Sequence, residues 1–448
     1  MSRQVISSRQ LALIIASSII TAGIIVDPQQ LARSTGHDAI FTYSLSLLLS
    51  FIVCYFFYSL SKKFPGKNLF EISFIVAGKW GGGIINILVL LNIWFIFARD
   101  SFATTMFLRA TLLQKTPPEI LIMLFILVMV YYGKSSIEVI SRVNEIVFPF
   151  AFVIILFFPL LLVNEIQASQ WEPVFTQTPA QLALGSILNS IRFGDLIVFG
   201  AFLHTVQNAK HLLTGFRLGV ILSAFSLTIV IATAIAVFGA DILARLNFPI
   251  YSLVAQINIT DFMDRVDVFA FSIYFPAAII NVVVSFTAFI IGISAFTSKN
   301  DPTLLSLSTG WFLLLTILIT FTNFVELGRF TFYSYPAYVI VVQPLLFLLL
   351  FFLAKRHPSV PIPQTASQSK SSTADQRNNR SGKPPKPLGY WIRVTNISIL
   401  SSMLLLILGM TISYISPWIR TFCAIGYGAC LILALFSVVK EKKRAEAG

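Results

Sequence analysis

The side chains of this sequence that can do chemistry are ionisable and amide groups set inside long apolar stretches. Asp195 is the sharpest case, following Phe193-Gly194 and preceding a wholly apolar stretch from Leu196 to Leu203. A charge in hydrocarbon costs at least about 2.5–3.5 kcal/mol on insertion scales, so it requires a wet cavity, a partner or a bound species. Two readings of Asp195 stay open. It can face a cavity and hold a cation, a proton or an amine, or it can cap a half-helix while pairing with nearby Arg192. Arg99 and Asp100 interrupt another apolar run, either at its outer end or as partners within a bundle. Asn144 and Glu145 open a further run beside Arg142, close to an interface, while Asn92 and Asn281 have the setting of amides that join helices. Trp94, Phe97, Tyr274 and Phe275 can wall a small pocket, although with 42 Phe in the chain most aromatic positions must pack or face lipid.

Catalytic and metal chemistry finds no support in the spacing. His204 and His211 are seven apart, and no HExxH helix exists. Gly78-Lys79 lacks the glycine five positions earlier that a phosphate loop needs, and there is no serine-hydrolase elbow. Cys54, Cys423 and Cys430 all lie in apolar stretches, so no disulfide framework is implied. No enzyme, cofactor or metal is expected.

The elements that must position these groups follow from composition. Of 448 residues, 56% are hydrophobic and 11% charged, against about 25% charged in soluble domains. Apolar runs fall at about 10–26, 39–60, 84–108, 119–132, 143–163, 186–206, 215–239, 268–296, 303–324, 334–354, 392–415 and 418–439. The chain therefore reads as an all-α polytopic membrane protein with twelve crossings. The first run has no small-residue cleavage site before a polar region and is expected to be retained. With the amino terminus in the cytoplasm, 23 basic residues lie on that side and 8 on the other, with Arg192 at the mouth of the sixth crossing. This bias puts both termini inside and accounts for the net charge of +13 without any nucleic acid.

Composition changes abruptly after Lys355, where Ser, Gln, Asn and Pro replace apolar residues. The expected organisation is a ten-helix body over 1–354, a disordered basic cytoplasmic linker over 355–390, an additional helix pair over 391–439 and a basic tail over 440–448. The linker's basic residues either touch anionic lipid headgroups or form a solvated spacer. Cut after its fifth helix, the body gives two halves of opposite orientation, the arrangement in which transporters place a substrate between interrupted helices. Thr21-Ala22-Gly23, followed by Ile24 to Pro28, and Phe193-Gly194-Asp195 stand in the first helix of each half. An unwound turn at each glycine would free main-chain N–H and carbonyl groups for a zwitterion; the alternative is that both glycines serve only close packing.

At this level the sequence resembles the spore germination permeases, the membrane B subunits of nutrient germinant receptors, within the amino acid–polyamine–organocation superfamily. The resemblance spans about residues 5–354. It rests on Gln10 before the first apolar run, Gly78-Lys79-Trp80, Lys115-Thr116-Pro117, Ser141-Arg142, Phe193-Gly194-Asp195 and Asp261-Phe262-Met263-Asp264-Arg265. It implies a LeuT-type 5+5 inverted repeat of ten transmembrane helices, here with two extra C-terminal helices. It further implies a small nutrient, commonly an amino acid, held between helices one, three, six and eight. Carried over, the ligand-binding candidates are Thr21, Ala22, Gly23 and Ile24 in helix one and Ile96 and Phe97 in helix three. Phe193, Gly194, Asp195 and Leu196 follow in helix six, and Tyr274 and Asn281 in helix eight. The implied partners are an A-type membrane subunit and a C-type lipoprotein, in the inner membrane of the spore. Departures are Asp27 before Pro28, where the family usually has an apolar residue, His204 near a usual proline, Thr21 at a place that is often glycine, and the added helix pair. The function implied is nutrient sensing by a shift between conformations. The rivals are an amino acid transporter coupled to protons or sodium, through Asp195 or Glu145, and a scaffold that binds no ligand.

Overall fold

The structure is a computed structural model and describes residues 5–206, 208–257, 266–297, 305–358, 387–412 and 417–447. Among these residues there is no strand. The helices are α1 (Ser8–Thr35), α2 (Tyr43–Lys63), α3 (Leu69–Thr111), α4 (Pro118–Tyr132) and α5 (Ile137–Leu161), then α6 (Pro179–Gly194), α7 (Ala209–Leu243), α8 (Pro249–Ala255) and α9 (Val266–Ser294). They are followed by α10 (Ser306–Thr320), α11 (Phe324–Arg329), α12 (Tyr335–Arg356), α13 (Leu388–Ile412) and α14 (Pro417–Ala447). A 3-10 helix, Asp195–Thr205, continues α6 directly, and a π turn, Phe330–Ser334, joins α11 to α12. Ten spans among the described residues are long and apolar enough to cross a membrane, and α4 and α10 are shorter apolar helices. Each of the twelve apolar runs falls on one of these segments; α8 is a short helix between crossings.

Local chemistry sets the helix starts. Ser7 with Gln10, Asn68 with Glu71, and Thr178 with Gln181 form reciprocal capping boxes at α1, α3 and α6. Ser136 caps α5 by accepting from the Val139 N–H. That start lies earlier than the sequence suggested, so Asn144 and Glu145 sit inside α5 rather than opening it. Glu145 instead pairs with Arg9 at 3.1 Å and accepts from Gln10 Nε2 at 3.2 Å. The long α3 bends at Gly78, whose φ of 71° lies in the left-handed region that favours glycine.

Of the two readings open for Gly23, the structure has close packing and no unwound turn. α1 is helical without interruption from Ser8 to Thr35, with Pro28 inside it. Gly23 serves packing: a Cβ there would lie 2.9 Å from Asp27 Oδ2 and 3.1 Å from Leu227. The sixth crossing does change at the expected place, by a different device. Gly194 keeps α-helical angles (φ −63°, ψ −28°), and the following 11 residues adopt the tighter 3-10 pitch. Such a run is long for a 3-10 helix, a form seen mid-helix at hinges.

α1 and α7 cross at the centre through small residues. A Cβ on Gly219 would meet the Ala12 carbonyl at 2.8 Å, and one on Gly215 the Ser8 carbonyl at 2.9 Å. α1 is accordingly 83% buried over its apolar window, whereas α5 is 22% buried and turns Ile146, Phe150 and Phe157 outward, toward lipid.

The C-terminal pair packs on α7 and α2. Buried Arg217 of α7 pairs with Glu441 at 2.8 Å, donates to Asn396 Oδ1 at 2.9 Å and lies over the Phe51 ring at 4.4 Å. Ser8 donates to Glu446 at 2.8 Å, tying the same end to α1. At the other end Phe41 stacks on Phe175 and meets Tyr427 edge-on, while Gly409 lies against the Phe175 ring. Most of the expected linker, residues 359–386, and the Asp261 to Arg265 segment lie outside the described residues.

Candidate ligand-binding site

Five ionisable side chains meet where α1, α3 and α6 face one another. Arg99 Nε donates to Asp100 Oδ1 at 2.7 Å, and its Nη2 donates to Asp195 Oδ2 at 2.6 Å. Arg192 Nε donates to Asp27 Oδ1 at 2.7 Å and lies 3.9 Å from Asp100. Tyr335 of α12 donates to Asp195 at 2.7 Å, and Asn281 of α9 donates to Asp100 at 3.0 Å. All seven side chains are buried. Pairing and hydrogen bonding make such burial tolerable, since an unpaired charge in this setting is strongly destabilising.

Arg99 and Asp100 pair within the bundle. The Asp195 carboxylate makes no helix-capping bond and does not pair with Arg192; its partner is Arg99 on α3, while Arg192 reaches Asp27 on α1. Arg192 lies in the last turn of α6 and Asp195 opens the 3-10 helix that continues it, yet their partners stand on two other helices, so the network ties the sixth crossing to both. Asp27, a departure from the family pattern in the sequence, is thereby an ion-pair residue.

Small hollows surround the network. The central one, about 20 Å³, is lined by Thr21, Ala22, Arg99, Asp100, Arg192 and Asn281, among others. A second of about 20 Å³ lies across Arg192, beside Asp27 and Asn189. A third, about 10 Å³, adjoins Asp195 between Ser18, Ile96, Asn281 and Ser285. Each has room for about one water molecule. On the other side of Thr21 is an apolar cavity of about 40 Å³, lined by Ile20, Ile24, Ile154, Ala270, Tyr274 and Ala277. The Tyr274 hydroxyl donates to the Thr21 carbonyl at 2.8 Å, fixing α9 against α1.

The sequence candidates therefore divide. Thr21, Ala22 and Asn281 line the central hollow, Asp195, Ile96 and Asn281 the third, and Ile24 and Tyr274 the apolar cavity. Gly23, Phe97, Phe193, Gly194 and Leu196 are absent from the lining of these hollows. Phe97 packs on Phe286 at 5.8 Å, and Phe193 and Leu196 are buried. Gly194 gives its carbonyl to Gln343 Nε2 at 2.6 Å, with Val339 where a Cβ would be. Trp94 and Phe275 do not join Tyr274 in one pocket wall; Trp94 donates to Thr316 of α10. Arg99, Asp100, Arg192, Asp27 and Tyr335 were missing from the ligand candidates. The available signal was the presence of both signs, two basic and three acidic residues in apolar spans, which calls for mutual pairing.

A sixth crossing that tightens to 3-10 pitch beside a central polar hollow, in a body of two five-crossing halves, defines a membrane protein of transporter architecture. Among solved structures the chain is similar to MHP1, a nucleobase-cation-symport-1 family transporter, in a closed conformation with bromovinylhydantoin bound. The TM-score is 0.63 at 14% identity, covering 100% of this chain and 94% of that one. It is also similar to MhsT in complex with L-phenylalanine, with a TM-score of 0.56 at 11% identity, covering 79% and 100%. The fold is thus the LeuT-type inverted repeat of ten helices with two added at the C-terminus. Residues 5–325 match the spore germination protein family, and the chain belongs to it. YfkT of Bacillus subtilis (strain 168) is 27% identical over 332 residues, covering 73% of this chain and 90% of that protein. Spore germination protein KB of the same organism is 22% identical over 357 residues, covering 79% and 95%. The protein is an integral multi-pass membrane protein, of a family and fold of permeases.

Proposed function

We propose that this chain is the membrane subunit of a spore nutrient germinant receptor, which binds a small zwitterionic nutrient, an amino acid, and signals by a shift between conformations. The observation that carries the proposal is the junction at Thr21. One side of it is the polar hollow with Arg99, Asp100, Arg192 and Asn281, and the other is the apolar cavity with Ile24 and Tyr274. A zwitterion with an apolar side chain matches that division, its charged ends on the ion pairs and its side chain among Ile24, Tyr274 and Ala277. Hollows of this size must widen to admit such a ligand, and the 3-10 segment after Gly194 is the element suited to give way. Ligand binding then favours one state by the contacts made there and not in the other. Family resemblance supplies the remaining parts: an A-type membrane subunit and a C-type lipoprotein as partners, the inner spore membrane as location, and cytoplasmic termini.

The test is amino acid binding to the purified protein in nanodiscs, followed by germination of spores carrying variants. Asn281→Leu, which removes an amide from the central and the third hollow, is expected to weaken nutrient response while the protein remains in the membrane. An unaltered response would sink this placement of the ligand. The fold and the buried carboxylates also suit a coupled amino acid transporter; accumulation of labelled amino acid by proteoliposomes holding this subunit alone would favour that reading.

A further inference from the structure

The central network is unbalanced. Arg99 and Arg192 supply two positive charges against three carboxylates, Asp27, Asp100 and Asp195, all with side chains at most 11% exposed. A surplus negative charge buried at this depth calls for a positive partner. A second observation shows where that partner is missing. Asp27 Oδ1 accepts from Arg192, but the buried Asp27 Oδ2 has no hydrogen-bond partner among the described residues. Asn189, on α6, is in the same condition: its Nδ2 donates to Thr42 at 3.3 Å, and its buried Oδ1 accepts nothing. Both residues line one hollow of about 20 Å³. Buried acceptors are seldom left unpaired, and two beside one cavity next to a charge surplus ask for a donor or a cation.

We propose that Asp27 and Asn189 form a subsite for one monovalent positive group, an alkali ion or an organic ammonium, across Arg192 from the central hollow. Two oxygens, one charged, suit a single positive charge; the hollow, with room for about one water molecule, takes a bare alkali ion as it stands and must widen for an organic ammonium. Among the described residues no group of three or more His, Cys, Asp or Glu side chains could hold a metal ion, so a tightly held divalent ion lacks its ligands. Gly23 contributes indirectly, because a Cβ there would crowd Asp27 Oδ2 at 2.9 Å. Arg192 is shared between this hollow and the central one, so a cation drawing on Asp27 alters the hold of Arg192 at the ligand hollow.

The experiment uses the full-length protein in nanodiscs without nutrient, so it stands apart from the nutrient proposal. Thermal unfolding is followed by tryptophan fluorescence while NaCl, KCl or methylammonium chloride replaces choline chloride at constant ionic strength. The expected result is a saturable rise in unfolding temperature with a small monocation. Saturation by sodium or potassium assigns an inorganic ion, and saturation by methylammonium alone assigns an amine headgroup. Asn189→Leu and Asp27→Asn are each expected to raise the half-saturating concentration at least about tenfold, and Asn189→Asp to lower it. No advantage of any small cation over choline, or an unchanged midpoint in Asn189→Leu, overturns the proposal; the latter decides it even if Asp27→Asn does not fold.

Discussion

Removing the carboxylate of Asp195 is the perturbation that most directly probes the buried network. Asp195 accepts from Arg99 Nη2 at 2.6 Å, Arg99 Nη1 at 3.4 Å and the Tyr335 hydroxyl at 2.7 Å. In Asp195→Ala, Arg99 keeps Asp100, and Tyr335 keeps only the longer contact to Asn92 at 3.3 Å. The cost of stripping one partner from a buried ion pair is about 3–5 kcal/mol, a factor of about 10²–10⁴ in the folding equilibrium. Asp195→Asn retains shape and one acceptor, so its expected cost is smaller, about 1.5–3 kcal/mol. Unfolding by sodium dodecyl sulfate in mixed micelles, read by tryptophan fluorescence, measures both. A double-mutant cycle separates pairing from other effects. Combining Asp195→Ala with Arg99→Met should cost about 1–3 kcal/mol less than the sum of the single changes, because the Arg99–Asp195 contact is lost once rather than twice, while the loss of Arg99 by Asp100 is common to both Arg99 variants and cancels in the cycle. Strict additivity, or an Asp195→Ala protein within about 1 kcal/mol of the parent, would refute the claim that this pair joins α3 to α6.

Gly219→Leu forces a side chain against the Ala12 carbonyl and Ile15, so α1 and α7 must separate; expression in the membrane with loss of a monodisperse elution peak is the expected outcome. Gly194→Ala meets only side-chain atoms of Val339 and Gln343, and should cost about 1–3 kcal/mol in the same unfolding assay. Glu441→Ala leaves buried Arg217 without a carboxylate, with only Asn396 and the Phe51 ring beside it among the contacts described, so the C-terminal pair should become more open to limited proteolysis before the body does. Asp38, in the 3-10 helix Gly36–Phe41 between α1 and α2, accepts from the Phe175 and Gln177 N–H groups, but burial outweighs these bonds and raises its carboxyl above the ordinary range. The folded state therefore binds the proton more readily than the unfolded chain, and the contribution of Asp38 to stability grows as pH falls through the raised value. Comparing the pH dependence of unfolding in Asp38→Asn with that of the parent should show this gain only in the parent.

Much of the architecture is legible in one dimension because a bilayer imposes it. About 20 apolar residues are needed per crossing, and unpaired main-chain groups are forbidden in hydrocarbon, so hydropathy alone counts the helices. Ser7 with Gln10 and Thr178 with Gln181 mark helix starts through contacts three residues apart, which sequence can display. Phe193-Gly194-Asp195 likewise marks the place where the sixth crossing changes pitch. Helix one shows the opposite case. Gly23 permits either an unwound turn or a tight crossing, and the choice fell to Leu227 and Asp27, which fill the space beside an intact helix.

The pairing of charges likewise belonged to the tertiary structure. Sequence places Arg192 three residues from Asp195 and Arg99 next to Asp100, so near neighbours look like partners. Only the approach of α1, α3 and α6 sends Arg192 to Asp27 and Arg99 to Asp195 as well. The sequence by itself determined a basic-biased, multi-pass helical membrane protein, because each helix satisfies its main chain from within. Which side chains share the central hollow was decided by packing, since contacts around it join residues up to 253 positions apart and leave no local trace.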